Sequence, residues 1–210
     1  MTARSNILLY QDYIHNNGIV HKRLCETYGR ANVHFADAHD IVNGALEKSV
    51  FLFVIPGGAD LYYCEKLNGE GNAKIRAYVE AGGHYLGICA GAYYAACEID
   101  WARGEIAGPR ELAFTDQKAT GPVYEFLEEN TLDKSWHNIV DVRIGDERYN
   151  ALYAAGPVFD GEGLASYSNG QTAIIKEKIG KGTVILSSPH IEYAPQDLEK
   201  VTYRHLNNSL

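Results

Sequence analysis

The sequence predicts an α/β fold, with short parallel strands alternating with helices through its first half. Three stretches carry that prediction. Val50–Ile55 (VFLFVI) is apolar at consecutive positions, rich in β-branched and aromatic residues, and stopped by Pro56-Gly57-Gly58. A run with no polar face belongs to a strand buried on both sides, as in a parallel sheet. Lys74–Ala81 places Ile75, Tyr78 and Val79 at helical spacing and meets Gly82-Gly83, a C-terminal stop. His84–Ile88 is another short apolar strand, and an Ala- and Tyr-rich helix is expected after it, over Ala90–Glu98. Strands alternating with helices imply βαβ units with right-handed crossovers.

The other elements follow in order. Asn6–Tyr10 (NILLY) reads as a buried strand, Val20–Tyr28 as a helix closed by Gly29, Asn32–Phe35 as a strand, and Asp40–Glu47 as a short helix. A loop rich in Gly and Asn is expected between Gly58 and Lys74. From Glu105 to Ile185 the strand signals shorten and turns multiply, at Gly121-Pro122, Gly145-Asp146, Gly156-Pro157 and Asn169-Gly170. That half is expected to hold several strands, some antiparallel. Ala173–Lys178 and Thr183–Ser187 form a predicted hairpin around Gly180-Lys181-Gly182. Pro195 is expected to open a last helix. With no linker, repeat or low-complexity tract, residues 1–210 read as one domain.

Composition narrows the function. The chain is 46% hydrophobic and 22% charged, as in soluble globular proteins, and its formal net charge is −8. Phosphate surfaces repel such a chain, so neither nucleic acid nor an anionic membrane is an expected partner. No stretch approaches the roughly 20 apolar residues of a membrane span. The four cysteines, Cys25, Cys64, Cys89 and Cys97, form no C-x-x-C unit, and Met1–Leu9 lacks a signal-peptide core. A cytoplasmic protein with reduced thiols is expected. His34 and His39 are five apart, off one helical face, so no metal site or cofactor is expected.

Gly87-Ile88-Cys89-Ala90-Gly91 is the strongest local feature. Glycines flank the cysteine two residues away on each side, between a strand and a helix. This is the pattern of a nucleophile elbow with cysteine in place of serine. The turn lifts the sulfur clear of the sheet and sets it at a helix N-terminus, which favours thiolate. A buried structural cysteine is the competing explanation. A nucleophile needs a base, and Ser188-Pro189-His190-Ile191-Glu192 offers one after a strand. Residues two apart in an extended segment share a side, so Glu192 can orient the His190 imidazole. Strands 50–55 and 84–88, if parallel, end on one edge of the sheet. The backbone N–H of Gly57 or Gly58 can then join that of Ala90 as an oxyanion hole. Tyr93 and the pair Arg110-Glu111 are weaker candidates for substrate contact, with core packing and a structural ion pair as the plainer explanations.

With these residues in view, Ile55–Gly91 resembles the N-terminal domain of eukaryotic biotin-protein ligases, within the class I glutamine amidotransferase-like superfamily. The similarity continues through Arg110-Glu111-Leu112-Ala113-Phe114, Gly156-Pro157-Val158-Phe159 and Ser188-Pro189-His190-Ile191-Glu192, in the family's order. The resemblance implies a flavodoxin-like three-layer α/β/α fold and a Cys-His-Glu triad of Cys89, His190 and Glu192. It also marks two departures. Class I glutaminase domains usually carry glutamine four residues after the nucleophile, where this chain has Tyr93. The glycine- and arginine-rich biotin-adenylate loop of the ligase domain does not occur in these residues, so biotin ligation is not expected. The leading expectation is a cysteine amidase or hydrolase acting on a small-molecule or peptide carbonyl substrate through a thioester. A non-catalytic ligand-binding or regulatory module is the second, and thiol redox or glyoxalase-like chemistry the third. No protein partner is indicated.

Overall fold

The computed structural model describes residues 6–12, 17–136, 138–194 and 198–207. The parallel strands are β1 (Asn6–Tyr10), β2 (Val33–Ala36), β3 (Val50–Ile55) and β4 (His84–Ile88). The following strands are β5 (Glu98–Trp101), β6 (Ile106–Pro109), β7 (Lys118–Gly121), β8 (Asn138–Ile144), β9 (Glu147–Tyr153), β10 (Val158–Phe159), β11 (Ala165–Tyr167), β12 (Thr172–Ile179) and β13 (Gly182–Ser187). The helices are α1 (Gly18–Tyr28), α2 (Ala38–Val42), α3 (Asp60–Leu67), α4 (Glu70–Glu80), α5 (Ala90–Ala95) and α6 (Leu198–Asn207).

The strand order begins β2-β1-β3-β4-β13, and these strands are mutually parallel. This is the flavodoxin-like order of a doubly wound sheet. Beyond β13 the sheet continues antiparallel through β12 and β10 to β7, where β5 pairs parallel to β7 and antiparallel to the edge strand β6. A branch through β11 leads to the β8–β9 hairpin.

Alternation along the parallel strands builds the layers. Ile7, Leu9, Leu52, Val54, Leu86 and Ile88 face one core, together with Val20 and Leu24 of α1 and Leu198 of α6. Their neighbours Leu8, Tyr10, Phe53, Ile55 and Tyr85 face the other, against α2 to α5. Both faces are apolar, so the strands read as unbroken hydrophobic runs. Helices cover both, giving a three-layer α/β/α architecture. Among the described residues, no helix is long and apolar enough to cross a membrane.

Most predicted elements are present, with informative shifts. The hairpin forms as β12 and β13, with Ile179 opposite Gly182. The segment predicted as a loop instead contains α3 and the first turn of α4. Tyr63 and Leu67, four apart and both buried, are the helical signal beneath the loop-forming residues. The helix expected over Ala90–Glu98 stops at Ala95, and β5 begins at Glu98. Ala96 is extended, and the carbonyls of Ala95 and Cys97 accept the N–H groups of Phe114 and Arg110. The short helix expected at Asp40–Glu47 lies earlier. A capping box between Asp37 and Asp40 starts it, and the chain turns at Gly44 with φ +96°. The expected helix start at Pro195 lies outside the described residues.

Candidate active site

Cys89 follows directly on β4, which lies between β3 and β13. Its backbone has φ +51° and ψ −105°, where a side chain is strained. The flanking glycines are dictated by contact. A Cβ at Gly87 would lie 2.4 Å from the Gly91 carbonyl oxygen, and one at Gly91 would lie 2.1 Å from that of Ile55. The elbow closes only because both positions lack a side chain. Cys89 is 8% exposed, and its thiol donates to the Ala154 carbonyl at 3.4 Å.

His190 comes from the end of β13 and is fixed by its backbone. Its N–H donates to the Leu152 carbonyl at 2.8 Å, forming an isolated antiparallel bridge to β9. Its Nδ1 lies 2.8 Å from Glu192 Oε1. The other edge of the ring faces Gly57: a Cβ there would stand 2.6 Å from His190 Cε1, 3.3 Å from Nε2 and 3.6 Å from Cys89 Cβ. Gly57 is therefore the gap that lets the imidazole and Cys89 share one corner. Burial opposes a charge on His190, but the Glu192 carboxylate and Cys89 outweigh it and hold the imidazolium well above the ordinary histidine range. Glu192 is buried, and its Oε2 has no hydrogen-bond partner among the described residues. A positive imidazole beside this half-satisfied carboxylate offsets part of its burial cost.

Two cavities meet at Cys89. One, of about 370 Å³, is lined by His190, Glu192, Trp136, Ile139, Leu152 and Tyr193, among others. The second, of about 260 Å³, is lined by Ala90, Tyr93, Asp60, Leu61, Trp101 and Ser135, among others. Gly58, Ala154 and Trp136 border both, and Gly57 borders the larger. Of the residues expected to supply oxyanion donors, Ala90 lines the smaller cavity, Gly57 the larger and Gly58 both.

Residues 20–209 match the family described as biotin-protein ligase, N terminal. The chain belongs to this family. Among relatives of this biotin-protein ligase N-terminal chain, an uncharacterized protein of Chlamydia muridarum is 35% identical over 165 residues, covering 71% of this chain and 63% of that protein. A biotin–protein ligase of Schizosaccharomyces pombe is 29% identical over 187 residues, covering 78% of this chain and 29% of that protein. The chain therefore spans less than two thirds of either relative. Among solved structures, PurLQS from Thermotoga maritima superposes with a TM-score of 0.65 at 13% identity, covering 98% of each chain. The fold is class I glutamine amidotransferase-like.

The remaining sequence candidates fall in different places. Tyr93 lines the smaller cavity, where its hydroxyl donates to the Ala155 carbonyl at 3.1 Å and burial keeps it protonated. Arg110 and Glu111 line neither cavity. The Arg110 guanidinium is buried against Asp60 at 2.7 Å, reaching the smaller cavity only through that carboxylate. Glu111 accepts from Gly69 N–H at 2.7 Å and Asn72 Nδ2 at 2.6 Å, so it secures the start of α4. Ala154, Trp136, Ile139 and Leu152 were not singled out by the sequence. Their signal lies in three-dimensional pairing, since β8 and β9 reach the elbow through the His190 bridge and the contact of Cys89 with the Ala154 carbonyl. His39 does join Asp37 and Asp40 in a group whose ligand-type atoms lie within 4.8 Å. The two aspartates already cap α2 by mutual hydrogen bonds.

Proposed function

We propose that this chain is a cysteine-dependent amidase or hydrolase, with Cys89 as nucleophile, His190 as acid–base and Glu192 orienting it. The observation that carries this is the His190 imidazole, held at Nδ1 by Glu192 and turned at its other edge toward Gly57 and Cys89. In the reaction the Cys89 thiol passes its proton to the His190 imidazole as the sulfur bonds to the substrate carbonyl carbon, and the oxyanion is received by the N–H groups of Ala90 and of Gly57 or Gly58. The tetrahedral centre collapses, the carbon–nitrogen bond breaks, and His190 gives its proton to the departing amine. Water, deprotonated by His190, then cleaves the thioester, releasing a carboxylic acid and restoring the thiol.

One observation favours a second reading, a ligand-binding module without turnover. The thiol donates to the Ala154 carbonyl, which suits a neutral sulfur. Alkylation by iodoacetamide near neutral pH, read by peptide mass spectrometry, separates the two. Burial pushes Cys64 up to about 11 and raises Cys97 as well, so both are poor competitors as thiolates. The hydrolase reading expects Cys89 to react first, His190→Ala to slow it strongly, and Glu192→Gln to slow it less. Labelling of Cys89 that is no faster than that of Cys64 and indifferent to His190→Ala selects the binding module.

A further inference from the structure

Six large apolar side chains are exposed among the described residues: Phe35, Leu61, Tyr62, Trp136, Ile139 and Tyr193. Four of them, Leu61, Trp136, Ile139 and Tyr193, border the cavities at Cys89. Exposed apolar groups gathered at one opening mark a recognition surface. Trp136, 68% exposed, borders both cavities.

The charged groups there are already engaged. Glu192 holds His190, and Asp60 holds Arg110. Apart from the His190 imidazolium, which the reaction itself uses, neither cavity has a cationic side chain among its lining residues to receive a carboxylate. A free amino acid such as glutamine carries an ammonium and a carboxylate; here the ammonium would compete for carboxylates already paired with His190 and Arg110, and the carboxylate would be desolvated with no dedicated partner, at high cost. Position then assigns the two ends of the substrate. His190 opens only onto the larger cavity, and Ala90 only onto the smaller. The group that His190 protonates as it leaves must lie on the His190 side.

We propose that the substrate is a neutral N-substituted amide. Its apolar amine portion occupies the larger cavity against Trp136, Ile139, Leu152 and Tyr193, and Trp136 sets the specificity. This rests on the hydrolase reading above and names its substrate class. A primary amide, whose leaving group is ammonia, would leave the larger cavity unused. The acyl portion occupies the smaller cavity, which Tyr93 and Ala90 line.

The test uses chloroacetamides on the intact chain, in which the Cys89 sulfur displaces chloride from carbon. N-benzyl and N-carboxymethyl chloroacetamide present the same reactive carbon with an apolar or an anionic amine portion. The expected result is saturable labelling of Cys89, with the N-benzyl probe faster by roughly tenfold or more, as hydrophobic pockets discriminate. Trp136→Ala should reduce that ratio several-fold, whereas Phe35→Ser, an exposed apolar change at a residue that lines neither cavity, should leave it unchanged. Equal rates for the two probes, or a ratio indifferent to Trp136→Ala, overturn the substrate assignment while iodoacetamide still reports an activated Cys89. Failure of the hydrolase reading appears separately, as Cys89 labelling by iodoacetamide that ignores His190→Ala.

Discussion

The parallel and antiparallel halves of the sheet contribute differently to the site. The parallel half, β1 to β4 with β13, supplies Cys89, Gly57, Gly58 and Ala90, and the end of β13 leads into His190. Its turns allow almost no variation, because glycines stand where any Cβ would strike a carbonyl. The antiparallel half supplies walls: Leu152 and Ala154 from β9 and the turn after it, and Ile139 from β8. There the cavity-facing contacts are apolar side chains, which tolerate change, although Gly156 in the turn after β9 is as confined as the elbow glycines, a Cβ there lying 2.2 Å from the Ser188 carbonyl oxygen. On the hydrolase reading proposed above, chemistry sits on the rigid half and shape on the adaptable one, the division expected when function is placed on a scaffold.

The largest expected effect breaks the rigid half. Gly91→Ala puts a methyl 2.1 Å from a backbone oxygen that has no freedom to move aside. Loss of roughly 3 kcal/mol or more in urea unfolding is expected from such overpacking. A tolerated Gly91→Ala would mean the elbow is looser than its contacts require. Tyr153→Phe attacks the junction. Its hydroxyl accepts Val123 N–H at 2.7 Å and donates to the Gly156 carbonyl at 2.8 Å, bracing the turn that carries Ala154. Orphaning those groups should cost about 1–3 kcal/mol, and Cys89 should become more accessible to iodoacetamide.

A smaller effect follows from proton linkage at His190. Its folded-state affinity for a proton is raised, so between the ordinary and the raised values the native chain holds a proton that the unfolded chain releases. Stability from this group is full below about 6.5, the ordinary histidine value, and is lost as pH rises through the raised folded value. Urea midpoints of the wild type should therefore fall as pH rises above 6.5, and those of His190→Gln should fall less. Parallel profiles would show that the imidazolium is not the group responsible. The smallest effect probes the adaptable half. Ile139→Ser, at an exposed position on β8, should change stability by no more than about 0.5 kcal/mol, yet it should lower the preference of Cys89 for the N-benzyl probe.

The sequence made the parallel half legible and left the antiparallel half largely dark, for physical reasons. Strands buried on both faces announce themselves as continuous apolar runs, and VFLFVI and HYLGI fall within one residue of β3 and β4. The elbow is local, five residues whose small side chains follow from one tight turn. His190 and Glu192 were found because two-residue spacing is also a local rule, although the chain turns into a short 3-10 helix at Ile191–Tyr193 instead of staying extended. The helix α3 was missed because Asn and Gly nearby favour turns, while its packing against α5 overrides them. Trp136 and Ile139 had no local mark at all. They matter through the pairing of β8 with β9 and of Leu152 with His190, contacts that no window along the chain contains.

The bridge between Leu152 and His190 has a consequence for how such a site diverges. The residue that lines the larger cavity also holds, through its own carbonyl, the backbone of the proposed base at 2.8 Å. A lineage that reshapes β9 to admit a bulkier ligand shifts the imidazole with it. New specificity is reached with least disturbance through Trp136, whose side chain borders the opening and is not part of that bridge, whereas the Tyr193 ring packs edge-on against His190. Diversity among descendants of this fold should therefore accumulate at the rim first and along β9 last.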